Sequence, residues 1–128
     1  GAVNYSETTG ALSVSAGSAT ISSSQAAVTQ TSALTFASLA RTAGATVNFN
    51  GTGLGVDARN QILITANPAL SNNIIGAWAT YTNTDWASYN ATTGVVVLAP
   101  ASYTSDTWAA GNNTTVTTST GKGSRNSQ

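Results

Sequence analysis

Eight charged side chains are all that this chain offers for acid–base or ionic chemistry: Glu7, Asp57, Asp85 and Asp106 against Arg41, Arg59, Lys122 and Arg125. Glycoside hydrolysis needs two carboxylates flanking a substrate, and Asp85 with Asp106 are the only acidic pair set among aromatics. The same residues suit Asx-type turns, in which each carboxylate accepts backbone N–H groups just ahead of Trp86 and Trp108. That turn-capping role is the expectation. Asp57 and Arg59 stand two apart, on one face of a strand, as an acid and a base of a lyase-like site would. Too few further carboxylates exist to hold Ca²⁺ beside them. With no histidine and no cysteine in the chain, the commonest general base, the thiolate nucleophile and the usual metal ligands are missing. Neither an enzyme nor a cofactor is expected.

Other binding chemistries fare no better. Four basic residues cannot build a nucleic-acid footprint. The glycine-rich run from Asn50 to Gly55 lacks the Lys-Ser/Thr ending of a phosphate loop. Asn4, Asn50, Asn90 and Asn112 fit the N-glycosylation pattern, as chance alone provides in a chain so rich in asparagine and threonine. What remains is aromatic. Trp78, Tyr81, Trp86, Tyr89 and Tyr103 all fall between Asn73 and Thr104, and Trp108 follows. Each buries roughly 150–250 Å² where large side chains are otherwise scarce, so this stretch is expected to carry the thickest core or a seam between stacked units. The alternative is an aromatic platform on which sugars stack, the mark of a glycan-binding adhesive module.

The elements that must position these residues are short. Leu12, Val14 and Ala16 alternate with serines; Ala19 and Ile21, Leu34 and Phe36, and Val47 and Phe49 repeat the pattern, and Gln61 to Thr65 forms a further strand. Ile74, Ile75, Trp78 and Tyr81 share one candidate strand, and Trp86 and Tyr89 share another. Val95 to Leu98 reads as a strand buried on both faces, and a last alternation surrounds Val116. Turn signals stand at Thr42-Ala43-Gly44, Asn50 to Gly55, Thr92-Thr93-Gly94 and Pro100. An all-β chain follows. Strands of three to five residues with brief spacers fit the rungs of a β-solenoid better than a β-sandwich, which remains the alternative.

The 128 residues are 6% charged, with a net charge of zero, against roughly 25% charged in an ordinary soluble protein. They are expected to form one domain over 1–120, or a segment of a longer chain, with a polar tail over 121–128. A neutral surface lacks the repulsion that keeps small domains apart, which favours self-association. The longest apolar run, Val95 to Ala101, falls far short of the ~20 residues of a membrane-spanning helix, so no membrane span is expected. A Ser/Thr/Asn/Gly-rich chain without oxidisable Cys or Met suits a secreted or cell-surface protein.

The block Leu34-Thr35-Phe36-Ala37-Ser38-Leu39-Ala40-Arg41 through Gly44-Ala45-Thr46-Val47-Asn48-Phe49 resembles one unit of the large bacterial surface proteins with autotransporter-associated β-strand repeats. Ile74 to Thr80, Thr84 to Ala87, Tyr103-Thr104 and Trp108 to Val116 resemble the next unit, in the same order. The likeness covers roughly Ser32 to Thr118. It implies a right-handed parallel β-helix in a passenger-type extracellular protein with structural or adhesive roles. The chain lacks the long tandem array of such proteins and a membrane-embedded C-terminal barrel. The expectation is a building block of a self-assembling surface fibre, or of an adhesin stalk, whose uncapped ends pair head to tail with further copies.

Overall fold

The computed structural model describes residues 4–25, 29–57, 59–106 and 109–115. They are all-β: β1 (Tyr5–Thr9), β2 (Leu12–Val14), β3 (Ser18–Ser22), β4 (Ser32–Phe36), β5 (Leu39–Arg41), β6 (Thr46–Asn50), β7 (Asn60–Ile64), β8 (Ala79–Tyr81), β9 (Asp85–Asn90), β10 (Gly94–Val97), β11 (Tyr103–Ser105) and β12 (Asn113–Thr115), with one 3₁₀ turn at Pro100–Ser102. The chain divides into two compact units, Gly1–Leu98 and Ala99–Gln128, where the sequence suggested one through residue 120. The division falls just before Pro100, which has no N–H to extend a ladder. In the second unit β11 pairs in parallel with β12. The alternation around Val116 lies outside the described residues.

In the first unit the chain comes back beside itself at a nearly constant interval. Tyr5 of β1 faces Ser32 of β4, and Leu12 of β2 faces Leu39 of β5, both 27 positions on. Ser18 of β3 faces Thr46 of β6, and Ser32 of β4 faces Asn60 of β7, both 28 positions on. All of these pairings are parallel, as is β6 with β8. The ladders β1-β4-β7 and β3-β6-β8 therefore run through three successive circuits of chain, and β2-β5 through two. The order then changes, since β8 pairs antiparallel with β9 and β9 antiparallel with β10.

Alternate residues of each strand form rows across a ladder. The rows Glu7–Leu34–Ile62 and Thr9–Phe36–Ile64 stand in one ladder, and Ala19–Val47–Ala79 and Ile21–Phe49–Tyr81 in another. Their second- and third-circuit members make the core: Phe36, Val47, Phe49, Ile62, Ile64, Ala79 and Tyr81 are buried, with Leu54 and Val95 beside them. The core is thus shared by apolar residues before Asn73, Phe36 and Phe49 among them, and is not confined to the stretch from Asn73 to Thr104. Stacked circuits let small residues such as Ala79 and Ala87 become fully buried, so a core forms here with few large side chains.

Two strands depart from expectation. Ile74 and Ile75 do not join Trp78 and Tyr81 in one strand; Ser71 and Ile74 close a tight turn whose central Asn72 and Asn73 both hold positive φ, the conformation asparagine tolerates best after glycine. The valine run is not a doubly covered parallel strand. β10 is the last, antiparallel strand of its sheet, with Val95 buried and Val96 and Val97 half-buried. β1 carried no apolar alternation and was not expected at all.

Candidate functional site

The first unit has two unlike strand edges and, on one outer face, a groove. At the β7 edge the backbone is met by the β9–β10 hairpin. Tyr89 of β9 extends its phenol over Ile64: the Ile64 N–H donates to Tyr89 Oη at 2.8 Å, and Tyr89 O–H donates to the Ile64 carbonyl at 2.8 Å. A single hydroxyl thereby takes the place of a neighbouring strand. Two glycines let the hairpin seat so closely. A Cβ on Gly94, at φ 84°, would collide with the Ile62 carbonyl, and one on Gly55 would collide with that of Val95. Tyr81, buried beneath, donates to the Leu54 carbonyl at 2.8 Å, and burial first, then the Asp85 charge, raises its pKa.

At the other edge, among the described residues, no strand lies beyond β1, β2 or β3. Every residue of β1 is exposed. Tyr5 O–H donates to Glu7 Oε2 at 3.0 Å, and this bond, then the Glu7 charge, raises the Tyr5 pKa. Among the described residues, the β1–β3 edge is thus bare where the β7 edge is covered at Ile64.

Between the edges, two asparagines clip the circuits together. Asn60 is fully buried and uses its whole amide: Oδ1 accepts from Ser23 Oγ at 3.1 Å and Gln25 N–H at 2.7 Å, while Nδ2 donates to the carbonyls of Gln25 at 2.7 Å and Thr52 at 2.8 Å. It joins the bends after β3 and β6 to the start of β7. Asn48 Oδ1 accepts from Thr80 Oγ1 at 3.0 Å and from Asn83 N–H at 2.8 Å. That second bond holds the β8–β9 turn, where Thr82 and Asn83 both have positive φ. Asn48 is 7% exposed, and its Nδ2 has no partner.

Asn48 lies in the outward row Thr20–Asn48–Thr80 of the β3-β6-β8 sheet. With Thr46, Trp78 and Asn83 these residues line a groove of about 260 Å³. Trp78 is half-buried there, fixed by the Arg41 guanidinium 5.1 Å from its ring centroid and by Gly76, whose lack of a Cβ makes room for the indole. Trp86 faces Thr80 across the antiparallel register and so shares the outward face.

The aromatic residues singled out from the sequence therefore separate. Tyr81 and Tyr89 serve the closed end, Trp78 and Trp86 the outer face, Tyr103 belongs to the second unit, and Trp108 lies outside the described residues. Asp85 opens β9 opposite Tyr81 and accepts from Thr84 Oγ1 at 3.4 Å; the turn before it is held by Asn48. Asp106 follows β11 at φ 53°, and its N–H donates to the Thr115 carbonyl. Asp85 and Asp106 fall in different units. Asp57 and Arg59 satisfy one another: the Arg59 N–H donates to Asp57 Oδ1 at 2.8 Å and its guanidinium to Oδ2 at 3.0 Å. Among the described residues no group of three His, Cys, Asp or Glu could hold a metal ion, and no helix is long and apolar enough to cross a membrane.

Glu7, Asn48 and Asn60 were not singled out from the sequence. The small residues opposite Asn60 carry its faint signal, because a Cβ on Gly51 would strike the Ser23 carbonyl. No protein-family profile, curated protein or solved structure matches the chain.

Proposed function

We propose that the first unit is a segment of a right-handed parallel β-helix and that the protein is a structural building block outside the cell, in a surface fibre or an adhesin stalk. The observation that carries this reading is the return of three ladders in parallel register, after 27 or 28 residues from the first circuit to the second and after 28 and 32 from the second to the third. A sandwich would be built from antiparallel pairs, and in this unit those are confined to the terminal hairpin and an isolated bridge. Solenoids resist load through backbone hydrogen bonds between neighbouring turns, which suits a chain with few charges and a modest core. The resemblance to repeat-bearing bacterial surface proteins leads to the same place. Among the described residues the β1–β3 edge is free for added strands, and it can join copies into the units from which a fibre or stalk is built. Electron microscopy of the protein in its native setting is expected to find it in filaments or stalks at the cell surface; a dispersed intracellular protein overturns the reading.

A second reading is favoured by the outer groove. Its lining is uncharged and rich in hydroxyl and amide groups, with an indole wall, as suits a neutral glycan. Glycan-array binding that disappears in Trp78→Ala at unchanged melting temperature would establish it.

A further inference from the structure

The two edges differ in one residue that decides what can dock. Within the row Glu7–Leu34–Ile62, Ile62 is fully buried, Leu34 half-buried and Glu7 exposed. The carboxylate thus occupies, in the first circuit, the position that apolar side chains fill in the second and third. It is the only charged residue before Arg41. On β2 and β3 the corresponding positions are apolar: Leu12, Val14 and Ile21 belong to the core or pack against it, and Ala19 stands in the same row as Val47. An incoming set of strands would meet apolar surface there and a carboxylate on β1.

We propose that the β1–β3 edge is a docking surface for the same edge of a second copy, and that Glu7 gates it, holding free chains apart until its charge is removed. The proposal rests on the assembly reading above. A second copy is the fitting occupant because its own β1–β3 edge offers the same unpaired strand groups, whereas the β7 edge is met by the hairpin. Two first-circuit edges can meet about a two-fold axis, β1 antiparallel to β1, as an isologous contact that closes after two subunits. Such docking would cover both Glu7 side chains in an apolar layer with no cation of the first circuit to meet them, and an unpaired buried charge is strongly unfavourable. An inward charge on an edge strand is a general device against edge-to-edge pairing.

Sedimentation velocity on the full chain tests this with three variants. Tyr5 N–H donates to the Thr31 carbonyl, so the amides of Tyr5, Glu7 and Thr9 face β4, and those of Ser6 and Thr8 face the open edge. Proline at position 8 therefore removes an edge donor and spares the β4 ladder. Wild type is expected to stay monomeric where Glu7→Val forms a dimer, with affinity raised by about 100-fold or more, and Glu7→Gln to fall between. Glu7→Val/Thr8→Pro is expected to return to monomer at an unchanged melting temperature. If wild type and Glu7→Val associate equally and Thr8→Pro abolishes both, the gate is wrong and edge assembly stands. If Glu7→Val stays monomeric, or its association survives Thr8→Pro, the gate and the edge both fall.

Discussion

At the β7 end, the last strand of the β1-β4-β7 ladder meets a phenol that both accepts and donates at Ile64 and two glycines that admit a hairpin, and the β8–β9 turn that leads into the hairpin is clamped by Asn48. At the β1 end, the first strand meets solvent, with a carboxylate in the row that elsewhere holds Leu34 and Ile62. Both ends confront the same difficulty, a line of backbone groups without a next strand. One end answers by covering the line and the other by charging it. Covering gives the Ile64 backbone its hydrogen-bond partner; charging contributes little to stability. The difference teaches that two edges of one parallel-paired unit can be finished by unlike chemistry.

The comparison breaks most forcefully at Gly94. Valine there would press a branched side chain into the Ile62 carbonyl at a left-handed backbone position. Overpacking of about 1–3 kcal/mol joins strain of about 1–3 kcal/mol, and a loss on the order of 4 kcal/mol is expected in urea unfolding. The hairpin should lift first. Amide exchange would then show Ile64 losing protection, whereas Ser6 and Thr8 already exchange freely in wild type.

A gradient along one row sharpens the same contrast. Alanine at Ile62 removes a fully buried side chain and should cost about 3 kcal/mol, within the usual range for such truncations. Leu34→Ala should cost less, because Leu34 is half-buried. Glu7→Ala should lie within about 0.5 kcal/mol of wild type at low protein concentration. Three equal losses in chemical denaturation would mean that the first circuit is as well packed as the third. Tyr89→Phe probes the cover itself: it leaves the Ile64 N–H and carbonyl without their partner, and a loss of about 1–3 kcal/mol is expected.

The all-β character is legible in the sequence. The alternations at Leu12–Val14, Leu34–Phe36, Val47–Phe49 and Ile62–Ile64 announce strands, because a period of two survives even in short rungs. Their brevity pointed toward stacking. The repeat interval was hidden, since only the inward rows repeat and their members differ: glutamate, leucine and isoleucine share one row, serine and asparagine another. Tyr81 and Tyr89 were expected to be core or seam, but which tyrosine would close an edge depends on a contact with Ile64, 25 residues away. β1 escaped notice because its strand character comes from pairing with β4 and not from its own apolar pattern. Asn60 escaped because a buried amide with four partners looks, in sequence, like any loop asparagine.

The smallest expected effect separates the two ends by titration. Tyr5 and Tyr81 both hold their protons above the ordinary tyrosine value of 10.0, for different reasons: the Glu7 carboxylate acts on Tyr5, whereas burial, then Asp85, acts on Tyr81. In Glu7→Gln, ring NMR should show Tyr5 titrating nearer to 10.0 and Tyr81 unmoved. The sign of the stability effect follows from linkage. A tyrosine whose folded pKa is raised contributes stability that is complete below the unfolded value and is lost as pH rises through the folded one, because the unfolded chain surrenders its proton first. The unit should therefore weaken above about pH 10, chiefly through Tyr81 at the closed end, and Tyr81→Phe should flatten that alkaline limb. A limb flattened instead by Glu7→Gln would place the sensitive tyrosine at the open end and reverse the assignment of which end holds the unit together.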